Sequence, residues 1–388
     1  MAESETERHS TSQLLDGRSQ NERAILKLIR QERALPKAEI AKRSGLSAQS
    51  ATVIINKLES DGLVTRLPAI RGGVGQPKVP FGLAAKGAYG VGLKIGRRSY
   101  DMSLIDLSGA VHATLHENIA YPTVSSLLTF SKRAYTLLSQ QIKDVSRIRG
   151  LGVAMPFEIW NWAEEAGASP EALNTWRNVD IQHELQHQLQ LPVFLSNDAT
   201  AACSAEMAFG NSPRLTNYLY IFVGTFLGGG LVLNGHLFTG KSGNAGAIGS
   251  LPFTMQSTSN SANQLISQSS LYLLEKALNK AGLNGNRIYD DSEYWPTYGK
   301  VLTQWIDNAA TGLAYAAQCA FTLLDLDGVI IDGAMPSDVK QQLLTKTQHV
   351  LMQSDLRGVS VGELVLGKVG SKAQSIGSAN LPLIANYY

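Results

Sequence analysis

Two cysteines in 388 residues, Cys203 and Cys319, leave this chain without a disulfide framework and without the spaced thiols of a zinc site. That scarcity fits a reducing compartment, and the expected location is cytoplasmic. No apolar run reaches the eighteen or more residues of a membrane span, so no membrane partner is expected. The first twenty residues are polar and acidic and lack the apolar stretch of a secretory leader. Charged residues make up only 17% against 44% hydrophobic, which excludes a disordered chain and supplies a real core. The length implies two or three domains.

The charge that is present is unevenly placed. Residues 20–86 hold 12 lysines and arginines against 5 aspartates and glutamates, a surplus of +7. Residues 87–388 hold 20 against 23, a deficit of −3. A compact basic segment on a nearly neutral body is the electrostatic footprint of a DNA-binding module, although a solvated charged surface gives the same count.

Three short helical patterns fill that basic segment. Residues 21–33 carry Ile25, Leu26, Leu28 and Ile29 on a helical period. Pro36 suits the start of a second helix over 37–44, with Ile40 and Ala41 inward. Gly45-Leu46-Ser47 makes a tight turn, and Ser47 caps a third helix that runs to about Ser60. Val53, Ile54 and Leu58 are expected as its buried stripe. This is the layout of a helix-turn-helix whose second helix enters the major groove. Ser47, Ala48, Gln49, Ser50 and Thr52 lie near the N-terminus of that helix, where base edges are reached; Gln pairs with adenine, and Ser or Thr serves either partner. Asn56 and Lys57 lie further along and are expected at phosphate. Residues 63–67 and 79–83 read as two wing strands. Between them, a Gly-rich basic tip carries Arg71, Gln76 and Lys78, suited to a minor groove or simply to a long hairpin turn.

From Tyr89 the pattern changes. Strand triplets alternate with long helices in two similar halves. Strands are expected at 90–96, 102–107, 111–119, 150–155, 192–195, 218–222, 230–233 and 328–331. Helices are expected at 124–145, 197–209, 261–281, 292–323 and 337–352. This organisation implies an α/β protein of two lobes with a cleft between them. The expected division is a polar tail at 1–19, a winged helix-turn-helix at 20–86 and a ligand-binding and oligomerisation domain at 87–388.

Within the large domain, Gly224-Thr225-Phe226-Leu227-Gly228-Gly229-Gly230 is followed by Asn234-Gly235, Gly240, Gly243, Ala245-Gly246 and Ile248-Gly249. This series resembles the signature of the ROK family of bacterial repressors, open reading frames and sugar kinases. The wing's Gly-Gln-Pro-Lys, with Gln76 and Lys78, is similar to that of the family's repressors. The resemblance runs from Gln20 through nearly the whole chain. It implies a winged helix-turn-helix joined to a two-lobed, actin-like (ribonuclease H-like) ATPase fold. Asn197-Asp198 resembles the family's sugar-binding pair, and Asp198 is the general base in a kinase. It can equally accept hydrogen bonds from a sugar, or cap a helix starting near Ala199. Phe157 and Glu158, Asn174 with Trp176, Gly246 and Ser250 complete the expected ligand set. A tryptophan face suits a sugar's C–H surface, although tryptophan is more often buried.

The sequence also departs from a working ROK kinase. The family's Asp-x-Gly-Gly-Thr-Lys phosphate turn is here Lys94-Ile95-Gly96-Arg97-Arg98-Ser99, and the second glycine of the second phosphate turn is Phe226. Bulky side chains stand where backbone approaches phosphate, so phosphoryl transfer is not expected, although an arginine pair can still attract an anion. The Glu and His of the family's Gly-Glu-Ile-Gly-His are Ala247 and Ser250, and residues 256–270 hold none of the zinc-site cysteines. No structural zinc or other cofactor is expected. The family's Asn stands three or four residues before the Trp, whereas Asn174 stands two before Trp176. His183-Glu184-Leu185-Gln186-His187 matches the zincin motif, but no third ligand is evident and the segment reads as a polar surface helix.

The expected function is a transcriptional repressor of carbohydrate uptake or catabolism genes. It would bind an inverted-repeat operator as a homodimer or homotetramer, with affinity controlled by a sugar or sugar derivative. The alternatives are an active sugar kinase with a DNA-binding arm, and a repressor controlled by a protein partner.

Overall fold

A computed structural model describes residues 17–70, 78–163, 168–210, 215–253, 264–289 and 292–388. Two compact units result. One contains the described residues up to Ser196 together with Ser375–Tyr388, and the other is Asn197–Gln374.

The first unit begins with helix α1 (Gln20–Glu32), opened by a capping box. Ser19 Oγ accepts from the Glu22 N–H, and the Ser19 N–H donates to Glu22 Oε2 at 2.7 Å. Helix α2 (Lys37–Ser44) ends at Gly45, whose φ of 71° is the left-handed conformation of a helix stop. Ser47 then caps α3 (Ala48–Ser60), its Oγ accepting from the Ser50 N–H at 3.1 Å. Strands β1 (Leu35–Pro36), β2 (Val64–Arg66) and β3 (Pro80–Leu83) form a sheet in the order β1-β3-β2. Pro36 is thus the last residue of a short strand and immediately precedes α2. Ile25, Leu26, Ile29, Ile40, Ile55, Leu58 and Phe81 fill the core of this winged helix.

The same unit contains β4 (Tyr89–Ile95), β5 (Ser99–Asp106), β6 (Val111–Asn118), β7 (Ile148–Met155) and β8 (Val193–Asn197), in sheet order β6-β5-β4-β7-β8. It also contains α4 (Val124–Ser139), α5 (Pro170–Asn174) and α6 (Ile181–Leu189). Helix α4 stops six residues short of the expected end. Asp144 there folds back to accept from the N–H and hydroxyl of Ser146, a local bond that competes with helix.

The second unit repeats the plan. After α7 (Asp198–Phe209), strands β9 (Tyr218–Val223), β10 (Leu227–Leu233), β11 (His236–Phe238), β12 (Gly328–Gly333) and β13 (Glu363–Leu366) take the order β11-β10-β9-β12-β13. In each sheet an antiparallel triplet is followed by a strand added in parallel. The expected helix at 261–281 is two pieces, α8 (Ile266–Ser269) and α9 (Leu271–Lys280). Ser270 breaks it with an extended backbone: its Oγ bonds Ile266 O and accepts from the Leu227 N–H, while its carbonyl accepts from the Trp305 indole. Helices α10 (Gly299–Leu324) and α11 (Ser337–Met352) cover the sheet.

The chain returns to the first unit in α12 (Ala373–Tyr387), a helix that the sequence reading did not contain. Its backbone lies against β4 and β7. A Cβ on Gly90 would meet Ala379 O at 1.9 Å, and one on Gly152 would meet Ser378 O at 1.8 Å. Glycine stands in these strand interiors because a helix backbone occupies the space of a side chain. No helix among the described residues is long and apolar enough to cross a membrane.

Candidate nucleic-acid interface and ligand site

The buried side of α3 is Ala51, Ile55 and Leu58. The expected stripe therefore needs correction. Leu58 is inward, but Val53 is 63% exposed and Ile54 only half-buried, because Ala51 sets a helical row one turn before Ile55. Ser47, Ala48, Gln49, Ser50, Asn56 and Lys57 are exposed, and Thr52 is half-buried. Ser50 Oγ is 2.9 Å from Ser47 Oγ, and the Thr52 hydroxyl donates to Ala48 O at 2.8 Å. Lys37 Nζ donates to Asn56 Oδ1 at 2.7 Å.

Lys57, expected at phosphate, is exposed and has its Nζ 2.7 Å from Oε1 of the buried Glu22. Burial alone would raise the Glu22 pKa. The Lys57 side chain, the Ser19 N–H and the nearby Arg18 outweigh it and hold the carboxyl below its usual range. Lys57 therefore ties α3 to α1. Lys78 is exposed and continues the wing ladder, bonded through its backbone to Ile70. Arg71 and Gln76 lie outside the described residues.

Asn197 is the N-cap of α7, its Oδ1 accepting from the N–H groups of Ala199 and Thr200. Asp198 Oδ1 also accepts from Ala199, at 2.8 Å, and its Oδ2 accepts from Gln374 Nε2 at 3.2 Å. The helix thus starts at Asp198 and the cap is Asn197, one residue earlier than expected. Gln374 escaped the sequence reading because it sits on the unread α12.

The glycine series has a packing explanation. A Cβ on Gly228 would meet that of Ala199 at 2.6 Å, and one on Gly230 would meet that of Cys203 at 2.4 Å. Gly246, at φ 81°, lies against the backbone of Gly230. Strand β10 is thus pressed by α7 on one side and by the Gly246 turn on the other, which brings Asp198 and Gly246 onto one packed group. Ser250 is exposed.

In the first unit, Phe157 is 44% exposed just beyond β7. Glu158 follows in a left-handed conformation and accepts from Asn161 Nδ2 at 2.7 Å. Arg177 Nη2 donates to Asn161 Oδ1 at 3.4 Å, so this turn lies beside the segment that carries the exposed Asn174. Trp176 needs correction as a ligand residue. It is 3% exposed in the core, and its indole N–H is committed to Pro122 O at 3.0 Å.

Two turns bear on phosphoryl transfer. Lys94 Nζ is 3.2 Å from Asp101 Oδ2, and His116 Nδ1 is 2.6 Å from Asp101 Oδ1. The substituted lysine is thus neutralised within its own sheet. In the other turn, the carbonyls of Gly224 and Thr225 accept from the first N–H groups of α9, and the Phe226 ring stands 5.7 Å from that of Tyr272. Among the described residues no three His, Cys, Asp or Glu side chains are placed to hold a metal, and His183 and His187 are exposed on α6. Cys203 is buried against Gly230, and residues 256–270 offer no thiol, so the donors present do not fit a structural zinc.

A family model described as the ROK family matches residues 90–383, and one described as winged helix-turn-helix DNA-binding matches 18–65. The chain belongs to the ROK family. Among relatives, the uncharacterized protein y4fQ of Sinorhizobium fredii is 23% identical over 376 residues, 95% of this chain and 92% of that one. The xylose repressor of Bacillus subtilis is 24% identical over 233 residues, covering 59% of each chain. This ROK protein therefore matches that repressor over less than two thirds of the repressor's length. Among solved structures, a ROK family transcriptional regulator described as a homolog of the E. coli MLC protein aligns with a TM-score of 0.67 and 20% identity, over 94% of this chain and 96% of that one. A ROK family glucokinase from Streptomyces griseus in complex with glucose and AMPPNP aligns with a TM-score of 0.59 and 20% identity, over 76% and 98%. The regulator's likeness shows a winged helix joined to an actin-like ROK domain, and the glucokinase's shows the ROK domain.

Proposed function

We propose that this chain is a transcriptional regulator, a repressor of carbohydrate uptake or catabolism genes, whose affinity for operator DNA is set by a sugar or sugar derivative. The observation that carries this reading is the solvent-facing row on α3, held in a winged helix and joined in one chain to a ROK domain. The division proposed is a tail at 1–19, the DNA-binding domain at 20–86 and the ligand domain at 87–388. Ser47, Ala48, Gln49, Ser50, Thr52, Asn56, Lys57 and the wing residues Arg71, Gln76 and Lys78 face DNA. Asn197, Asp198, Gly246 and Ser250 in the second unit, and Phe157, Glu158 and Asn174 in the first, are the ligand contacts of this reading. Half-sites on successive turns of DNA need two recognition helices related by a two-fold, hence a homodimer or homotetramer acting in the cytoplasm.

On this reading the chain transfers no phosphoryl group. Support comes from Lys94, which pairs with Asp101 across β4 and β5, and from Phe226 in the second turn, where phosphate chemistry needs small residues and free backbone. Asp198 then serves as an acceptor for sugar hydroxyls. A sugar shifts operator affinity only by binding the DNA-competent and DNA-incompetent states unequally.

The test is fluorescence anisotropy on the promoter beside the protein's own gene, with a panel of sugars headed by xylose, after the B. subtilis relative's name. Salt-sensitive binding altered by one sugar supports the reading. Asp198→Asn should abolish the sugar's effect while leaving sugar-free binding in place. ATP-dependent phosphorylation of any sugar in the panel would instead establish a kinase with a DNA-binding arm.

A further inference from the structure

We infer that Val53 reads sequence, its two methyl groups packing on the C5-methyl of a thymine in the major groove. The inference rests on the DNA-binding reading above and names a specificity determinant within it.

Val53 is 63% exposed on a helix whose other large apolar residues are turned inward or half-covered. At about 100° per residue, Gln49, Val53 and Asn56 project from the side of α3 opposite Ala51, Ile55 and Leu58. A bare β-branched residue there contributes nothing to the core, and it is a poorer helix former than the long polar residues that usually cover such a face. A single exposed apolar side chain is ordinary on a protein surface, but this one stands on the face of the helix that enters the major groove, where a base edge is within reach.

The polar neighbours narrow what that partner is. The Thr52 hydroxyl donates to Ala48 O and the Ser47 hydroxyl to Ser50 Oγ, Asn56 Oδ1 accepts from Lys37, and Lys57 pairs with Glu22. Gln49 and Val53 remain at the middle of the face, one helical turn apart. In the major groove, adenine offers the N6/N7 pair that a glutamine amide matches, and thymine offers the one methyl group among the bases. A Gln-Val pair spaced by four residues therefore suits an adenine and a thymine methyl on neighbouring base pairs.

The test uses the full chain. Duplexes are enriched from a random pool by the wild type, and each thymine of the winning sequence is replaced singly by uracil, which removes only the methyl. The expected result is one thymine per half-site whose replacement weakens wild-type binding about fourfold, the value of one buried methyl group. Val53→Ala should bind the thymine duplex correspondingly weaker and be indifferent to the uracil change, with an unaltered melting temperature and oligomeric state. No uracil-sensitive position, or equal uracil sensitivity in wild type and Val53→Ala, overturns the inference while leaving DNA binding intact. A changed oligomeric state in Val53→Ala assigns the residue to a protein interface and also overturns it. Failure of the wild type to enrich any sequence overturns the DNA-binding reading itself.

Discussion

Arg30 of α1 holds its guanidinium carbon 4.2 Å from the centre of the Tyr388 ring and donates from Nη2 to Asn380 Oδ1 at 2.7 Å. Arg23, two turns earlier on the same helix, donates to Ala385 O at 3.0 Å. The winged helix is thus fastened to α12, and α12 lies directly on the glycines of β4 and β7. One helix supports both the DNA-reading module and the sheet whose strand end carries Phe157 and Glu158.

Arg30→Met keeps the aliphatic stem and removes the charge-assisted bond and the stack. The expected loss is about 1–3 kcal/mol. Arg30→Lys should recover only part of it, since lysine lacks the planar fork that stacks and bonds together. Urea unfolding followed by fluorescence reads both. A loss below about 0.5 kcal/mol for Arg30→Met, the range of an ordinary surface change, would show that the contact does not fasten the module.

The winged helix was largely legible in the sequence because its signals are local: Ser47 as a cap, Gly45 as a stop, Ile40 and Ala41 on one face. Val53 was misplaced because a run of three β-branched residues, Val53-Ile54-Ile55, satisfies several helical stripes. Only the small Ala51 fixes which one is buried. Helix α12 was invisible for a different reason. Gly377, Pro382 and a scatter of Ser and Asn give it no clean apolar face, since a helix buried on two sides needs small residues rather than a stripe. With α12 unread, Gln374 beside Asp198 could not be found either. Trp176 carried a ligand signal and a core signal of equal form, and only the bond to Pro122 O separates them.

The Glu22–Lys57 pair makes a pH-dependent prediction. The folded pKa of Glu22 is depressed, so its contribution is present above the ordinary carboxylate range and is lost as pH falls through the folded value. Lys57→Met removes the lysine's share of that depression and should cost about 1–2 kcal/mol at neutral pH. The gap from wild type should shrink as pH falls through the depressed folded value of the wild type, below which the carboxyl is protonated in both. A constant gap from pH 7 to pH 3 would place the effect elsewhere. Gln49→Ala, by contrast, should leave stability unchanged and weaken specific binding more than non-specific binding.

His116 predicts the opposite slope. Burial lowers its pKa, but the bond to Asp101 and that carboxylate's charge outweigh burial and raise it, with Asn118 adding to the shift. Its contribution is therefore fully present below the ordinary histidine value and fades as pH rises through the folded value. His116→Gln should lower the melting temperature more at pH 6 than at pH 9. An equal drop at both would mean that the imidazolium is not what Asp101 holds.

In the second unit, Asp332 ends β12 with no exposed surface and four donors around it. Its Oδ1 accepts from Lys340 Nζ at 3.0 Å and the Gly333 N–H at 2.9 Å, and its Oδ2 accepts from the Tyr220 hydroxyl at 3.1 Å and the Gly370 N–H at 2.9 Å. Burial first, and then the Asp332 charge, hold the Tyr220 phenol well above its ordinary pKa, so it remains a donor. Lys340→Met leaves a buried carboxylate with its counter-ion removed, and breaking such a pair costs about 3–5 kcal/mol. Asp332→Asn alone strands the ammonium. The double variant removes both charges and keeps one acceptor oxygen for Tyr220 and the Gly370 N–H, so it should be more stable than either single variant. Thermal unfolding of the four proteins closes the cycle. Additive losses would show that the two charges stabilise the fold independently; a double variant well above the sum shows that they are held as a pair.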